Sequence, residues 1–176
     1  MTVARRMLLL VALLAPIAVS AKDAPPAQKA PGCPAAESHQ FDFWIGDWNV
    51  TLPDGTAAGH NRIEAILDGC ALAEHWQGAK GLRGASYNAY DAPAKLWRQF
   101  WVDAQGNVLG LEGRFADGRM VLQSTSRAKH IDRITWTPNA DGSVRQLWET
   151  SEDSGATWVS AFDGLYPPMF FNAATA

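Results

Sequence analysis

Residues 96–118 read LWRQFWVDAQGNVLGLEGRFADG. In LWRQFWVD, Trp97, Gln99, Trp101 and Asp103 share one face, and Leu96, Arg98, Phe100 and Val102 share the other, the two-residue period of a β-strand. The turn AQGN supplies Gly and Asn where a positive φ is needed, VLGLEGRF follows as a second strand, and ADG closes it. The same unit repeats in both directions. Upstream, WIGDWNVTL ends at Pro53-Asp54-Gly55, TAAGHNRIEAIL at Asp68-Gly69, CALAEHWQ at GAKG and LRGASYNAY at DAPAK. Downstream, RMVLQSTSR runs to AKH, IDRITWTP to NADG, SVRQLWETS to EDSG, and ATWVSAFDGLY completes the series.

This makes about ten strand candidates joined by hairpin-length turns, with no long amphipathic helix between them. Such a meander, left open, would expose two long edges. Closing it pairs both, so the expected fold is all-β, an antiparallel up-and-down β-barrel of about ten strands. The alternative is a two-sheet sandwich, which normally needs a longer crossing connection than this chain offers. A barrel wider than the eight-stranded kind is not filled by its own side chains, so a cavity is expected.

The ends of the chain read differently. Arg5 and Arg6 precede an apolar run from Met7 to Val19, and Val19-Ser20-Ala21 presents small residues at the cleavage positions. Residues 1–21 are therefore read as a secretory signal peptide, which makes the protein periplasmic or secreted. The run is too short, and Pro16 too disruptive, for a membrane anchor, so no stable membrane insertion is expected after cleavage. Residues 22–39 form a Pro/Ala-rich linker, residues 40–168 the barrel domain, and residues 169–176 a C-terminal tail. The net charge of −3 and scattered Lys and Arg exclude a nucleic-acid surface. Export places Cys33 and Cys70 in an oxidising compartment, where a single disulfide is the natural expectation, contributing about 3 to 4 kcal/mol if unstrained. Two unpaired thiols are the alternative. Neither cysteine belongs to a CxxC pair, so neither a redox nor a zinc site is indicated.

FDFWIGDW, residues 41–48, opens the first strand. Gly46-Asp47-Trp48 after an aromatic turn resembles the Gly-x-Trp signature of the lipocalins and the wider calycin group. With the later DGC, YD, WVD and WE, the string looks like a family of exported bacterial proteins of unknown function with a calycin-like, nitrobindin-like barrel. The likeness covers roughly residues 41–166. It implies that Trp48 closes the barrel floor and that Phe41, Phe43 and Trp44 form an N-terminal aromatic plug at that end. The sequence departs from lipocalins in having no Arg on the last strand to pack over Trp48. It departs from nitrobindin-like haem barrels in following Trp48 with Asn49-Val50-Thr51 rather than further glycines.

Strand phase then groups candidate ligand-binding residues: Trp97, Gln99 and Trp101 on one face, Glu74 and Trp76 on another, and Trp148 beside Gln146. Large apolar walls with a few orienting polar groups suit a ligand cavity. With Trp48 at the floor, these make the candidate set; the competing reading is that Trp97 and Trp101 pack against other structure. Glu64, Glu112 and Glu149 are further carboxylates. Arg83, Arg98 and Arg145 would clamp an anion if they face inward, but more often such residues are solvated on the outer face. His39, His60, His75 and His130 show no metal spacing, although His75 and His130 lie on or beside strands and keep a haem or metal ligand open. No cofactor is assigned. Neither a Gly-x-Ser-x-Gly elbow nor a phosphate loop is present, and no catalytic residue is assigned.

The expected function is binding of a small hydrophobic or aromatic molecule inside the barrel. One alternative is an enzyme using a buried carboxylate such as Glu74 or Glu149 as general acid or base. The other is carbohydrate recognition by coplanar exposed Trp, with no interior void.

Overall fold

The computed structural model describes residues 33, 35–124 and 129–168. Ten strands close into one antiparallel barrel in which each strand lies between its neighbours in the chain and β1 meets β10. They are β1 (Gly46–Thr51), β2 (Ala57–Ile66), β3 (Ala71–Gly78), β4 (Arg83–Asp91), β5 (Leu96–Asp103), β6 (Val108–Ala116), β7 (Arg119–Ser124), β8 (Ile131–Pro138), β9 (Val144–Ser151) and β10 (Val159–Tyr166). Each expected segment holds one strand. β10 begins later than its segment because Asp153 accepts hydrogen bonds from the Thr157 backbone N–H at 2.8 Å and its hydroxyl at 2.7 Å. Trp158 Nε1 then donates to the Gly155 carbonyl at 3.0 Å, which keeps the chain turned until Val159.

One end of the barrel is plugged. Two short 3-10 turns, Ala36–His39 and Asp42–Trp44, carry Phe41 and Trp44 into it, and both are fully buried. Phe41 touches Trp44 at 5.0 Å, Trp136 of β8 at 5.1 Å and Trp97 of β5 at 5.6 Å between ring centroids. Trp48 folds back over Gly46, where an added Cβ would lie 2.8 Å from the indole. Its Nε1 donates to the Trp44 carbonyl at 3.0 Å. That close approach is a physical reason for Gly-x-Trp at this place. Tyr166 of the last strand packs edge-on to Trp48 at 6.0 Å.

Closure is uneven around the barrel. β2 and β3 pair through eight residues from Gly59↔Gly78 to Ile66↔Ala71, whereas β1 and β10 share the single register pair Thr51↔Leu165. The plug rings therefore carry much of the join between the first and last strands.

The expected disulfide is corrected. Cys33 and Cys70 are free and not at disulfide distance. The two thiols are close enough for each to shift the other's pKa, lowering that of Cys33 and pushing that of Cys70 up to about 11. A contact of that kind is longer than the roughly 2.05 Å of a covalent S–S bond. Residues 1–21 and 169–176 lie outside the described residues, as does most of the expected linker. Among the described residues no helix is long and apolar enough to cross a membrane.

Candidate functional site

The inward face is settled by burial. On β5, Trp97 and Gln99 are 1% and 5% exposed, while Phe100 between Gln99 and Trp101 is 55% exposed. The same phase turns Leu72, Glu74 and Trp76 of β3 inward, with Val144, Gln146 and Trp148 of β9.

Three layers result. At the plugged end Phe41, Trp44, Trp97, Trp136 and Met120 form a solid apolar core. A buried polar layer lies above it. Glu74 accepts hydrogen bonds from Asn61 Nδ2 at 2.8 Å and Ser86 Oγ at 2.6 Å. Asn61 Nδ2 also donates to Tyr166 Oη at 3.1 Å, and the Tyr166 hydroxyl donates to Gln146 Oε1. On the other side Asn88 Nδ2 donates to Ser86 Oγ at 3.0 Å, and Gln99 Nε2 to Asn88 Oδ1 at 2.7 Å. Burial raises the pKa of Glu74, against the lowering effect of its two donors. It also raises that of the Tyr166 phenol, helped by the nearby Glu74 charge. Both groups are thereby favoured in their neutral forms.

Beyond the polar layer, toward the unplugged end, is a cavity of about 430 Å³. Glu74, Gln99, Gln146 and Tyr166 line its deep side, while Trp76, Trp101, Trp136, Trp148 and Phe162 line its walls. Leu52 and Ala57 beside the first turn, Lys80 and Leu82 on the second, and Ala161 line its rim. Trp101 lies over Gly84 so closely that a Cβ there would collide with the indole. Phe162 similarly covers Gly164, with 2.5 Å to an added Cβ, and packs edge-on to Trp76 at 5.9 Å. Trp148 is held by Asp132, a buried residue that does not itself line the cavity, its Nε1 donating to Asp132 Oδ1 at 2.8 Å. His130 Nε2 meets the same carboxylate at 3.2 Å, and its Nδ1 meets Glu152 at 2.6 Å.

Five of the expected residues, Glu74, Trp76, Gln99, Trp101 and Trp148, come together on this cavity. Trp97 shares the face of Trp101 but sits at the plugged end, against Phe41 and Tyr90, with Nε1 toward Gln40. Trp48 is likewise in the core and outside the cavity lining. Of the four candidate carboxylates only Glu74 turns inward. Glu64, Glu112 and Glu149 pair with Arg62, Arg98 and Arg133 on the outer face. Arg98 and Arg145 are also outside, the latter paired with Asp163 at 2.7 Å, so no interior arginine clamp forms among them. None of the four histidines lines the cavity.

Asn61, Ser86, Asn88, Trp136, Phe162 and Tyr166 were not singled out by the sequence. Small polar residues alternating along a strand look like a solvated face; their shared phase with the buried Ile63 and the half-buried Tyr90 was the available signal. Compared with known proteins, the chain matches no family model and no curated sequence.

Proposed function

We propose that this protein binds a small, largely apolar molecule inside its barrel, with Trp76, Trp101, Trp148 and Phe162 as walls and Glu74, Gln99 and Gln146 orienting its polar group. The observation that carries this reading is the unfilled interior: a solid core would have used the same aromatics to fill the space that here remains as a 430 Å³ cavity. That volume falls in the range of small-molecule sites, and the mix of aromatic wall and few polar groups is what such sites use. The calycin resemblance and the leader read over residues 1–21 support the same picture, with binding outside the cytoplasm.

A buried carboxyl beside an apolar pocket also meets the requirement of a general acid or base, which favours Glu74 as the residue of an enzymatic reading. Both its oxygens are already engaged, however, and no Ser, Cys, His or second carboxylate lines the cavity among the described residues. The sugar-platform reading has less support. No Trp is among the exposed large apolar residues, and the interior is hollow.

Native purification followed by mass spectrometry, with Trp emission recorded before and after delipidation, tests the proposal. A stoichiometric apolar molecule whose removal shifts the emission is expected. A protein that is empty as purified, with emission indifferent to fatty acids, haem and small aromatics alike, would sink it.

A further inference from the structure

We propose that the ligand is an organic cation, a protonated or quaternary amine on an apolar or aromatic frame, seated with its charge toward Glu74. This deepens the binding proposal above and rests on it.

Glu74 and Lys80 are the only charged side chains lining the cavity among the described residues. Lys80 is exposed on the turn between β3 and β4, whereas Glu74 is 4% exposed and on the deep side. Both Glu74 partners, Asn61 Nδ2 and Ser86 Oγ, are neutral donors, and no cationic side chain contacts the carboxylate. An ionised Glu74 is therefore a buried charge without a counter-charge, an arrangement that destabilises a fold and that a Gln of the same shape would avoid. A ligand bearing positive charge supplies what the fold lacks.

The walls lead to the same chemistry by a separate route. Trp76, Trp101, Trp148 and Phe162 present aromatic rings around the space above Glu74, and ring faces attract cations, Trp most strongly. Trp148 donates its indole N–H to the Asp132 carboxylate, which enriches the ring in electron density. A third observation is the hydrogen-bond balance of the polar layer. Asn61 Oδ1 is fully buried with no donor, while the same residue's amide nitrogen is used twice. The layer is short of donors beside Glu74, so it holds none in reserve to compensate an ionised carboxylate. A carboxylate ligand would find only Lys80, at the rim, and would have to bring its charge no deeper than the mouth.

The binding of a cation requires Glu74 to ionise, so affinity must rise with pH. Around Glu74 stand Asn61 of β2, Ser86 and Asn88 of β4, Gln99 of β5, Gln146 of β9 and Tyr166 of β10. Of these only Tyr166 titrates, and its phenol is held neutral. His130, paired with the Asp132 that holds Trp148, is a second titratable group linked to the cavity wall, its pKa raised by Glu152 and Asp132. A Glu74→Gln variant separates the two.

Calorimetric titration of the full chain with three probes of similar shape tests the inference: benzyltrimethylammonium, its neutral isostere neopentylbenzene, and the anion 3-phenylpropionate. The cation is expected to bind about tenfold tighter than the isostere or better, with affinity increasing as pH rises. In Glu74→Gln both the preference and the pH dependence should collapse. Equal or tighter binding of neopentylbenzene overturns the cation inference and leaves the apolar cavity standing. Tightest binding by the anion overturns it in favour of Lys80. If none of the three binds, the cavity proposal falls with it. The wild-type comparison decides even if the variant does not fold.

Discussion

Ionising Glu74 places a charge among Asn61, Ser86 and Tyr166, none of which carries a compensating one. Its folded pKa is raised, by burial first, above the ordinary value of about 4.3. Above that value the unfolded chain has released a proton that the folded protein still holds. The Glu74 contribution to stability is therefore greatest below the ordinary carboxylate range and is lost as pH rises from there toward the folded value. Glu74→Gln should remove this slope. The amide oxygen can keep Asn61 Nδ2, and the Ser86 hydroxyl can turn to accept from the new NH2. Urea unfolding at a series of pH values above the ordinary carboxylate range checks the prediction: the wild type weakens with rising pH, the variant does so much less, and the variant is the more stable at the upper end. His130 adds a slope of the same sign. Its pKa is raised by Glu152 and then Asp132, so its contribution is complete below about 6.5 and is lost as pH passes the folded value. A parallel His130→Asn series isolates that part. Identical pH profiles for wild type and Glu74→Gln would overturn this assignment, since they would mean that the Glu74 pKa is the same in the folded and unfolded chain.

At the scale of the strand, the two-residue period places side chains on a face but says nothing of depth. Trp97 and Trp101 share a face of β5, yet four residues along a strand are about 13 Å; one ring meets the plug and the other lines the cavity. Strand existence and order were legible in the sequence because alternation and Gly/Asn/Asp turns recur together. The inward face was not, because β4 presents Ser86 and Asn88 to the interior and Tyr87 to solvent, the reverse of an apolar-in pattern. Nor was the role of Gly84, which carries no side chain to read. Its meaning lies across the ladder, where the Trp101 ring occupies the place a Cβ would take. Gly84→Ala should therefore displace that ring, destabilise the fold by about 1–3 kcal/mol and weaken whatever binding the cavity supports. The cost should largely vanish in a Trp101→Ala background, since the collision is with the indole. A double-mutant cycle by urea unfolding measures this coupling, and equal costs in both backgrounds would refute the assignment of Gly84 as a seat for Trp101.

Across the whole molecule, the two ends of the barrel divide the work. The plugged end joins distant strands: Phe41 alone touches the rings of Phe43, Trp44, Trp97 on β5 and Trp136 on β8. This end also compensates for the thin backbone ladder between β1 and β10, which Trp48 and Tyr166 bridge ring to ring. The unplugged end holds the cavity and its turns. Removing the Phe41 ring should then act on stability far more than on binding. Phe41 is fully buried, and truncating a buried Phe to Ala typically costs about 3–5 kcal/mol. Phe41→Ala should lose stability of that order and expose β1 and β10 amides to faster hydrogen exchange before those of β3 and β4, whose ladder is continuous. Probe affinity at the cavity should change little under conditions where the variant remains folded, because Phe41 does not line it. Trp136, which lines the cavity and also contacts Phe41, is the direct route from the Phe41 ring to the cavity. If Phe41→Ala weakens binding as much as Gly84→Ala does, that route is dominant, and plug and cavity behave as a single cooperative unit rather than two.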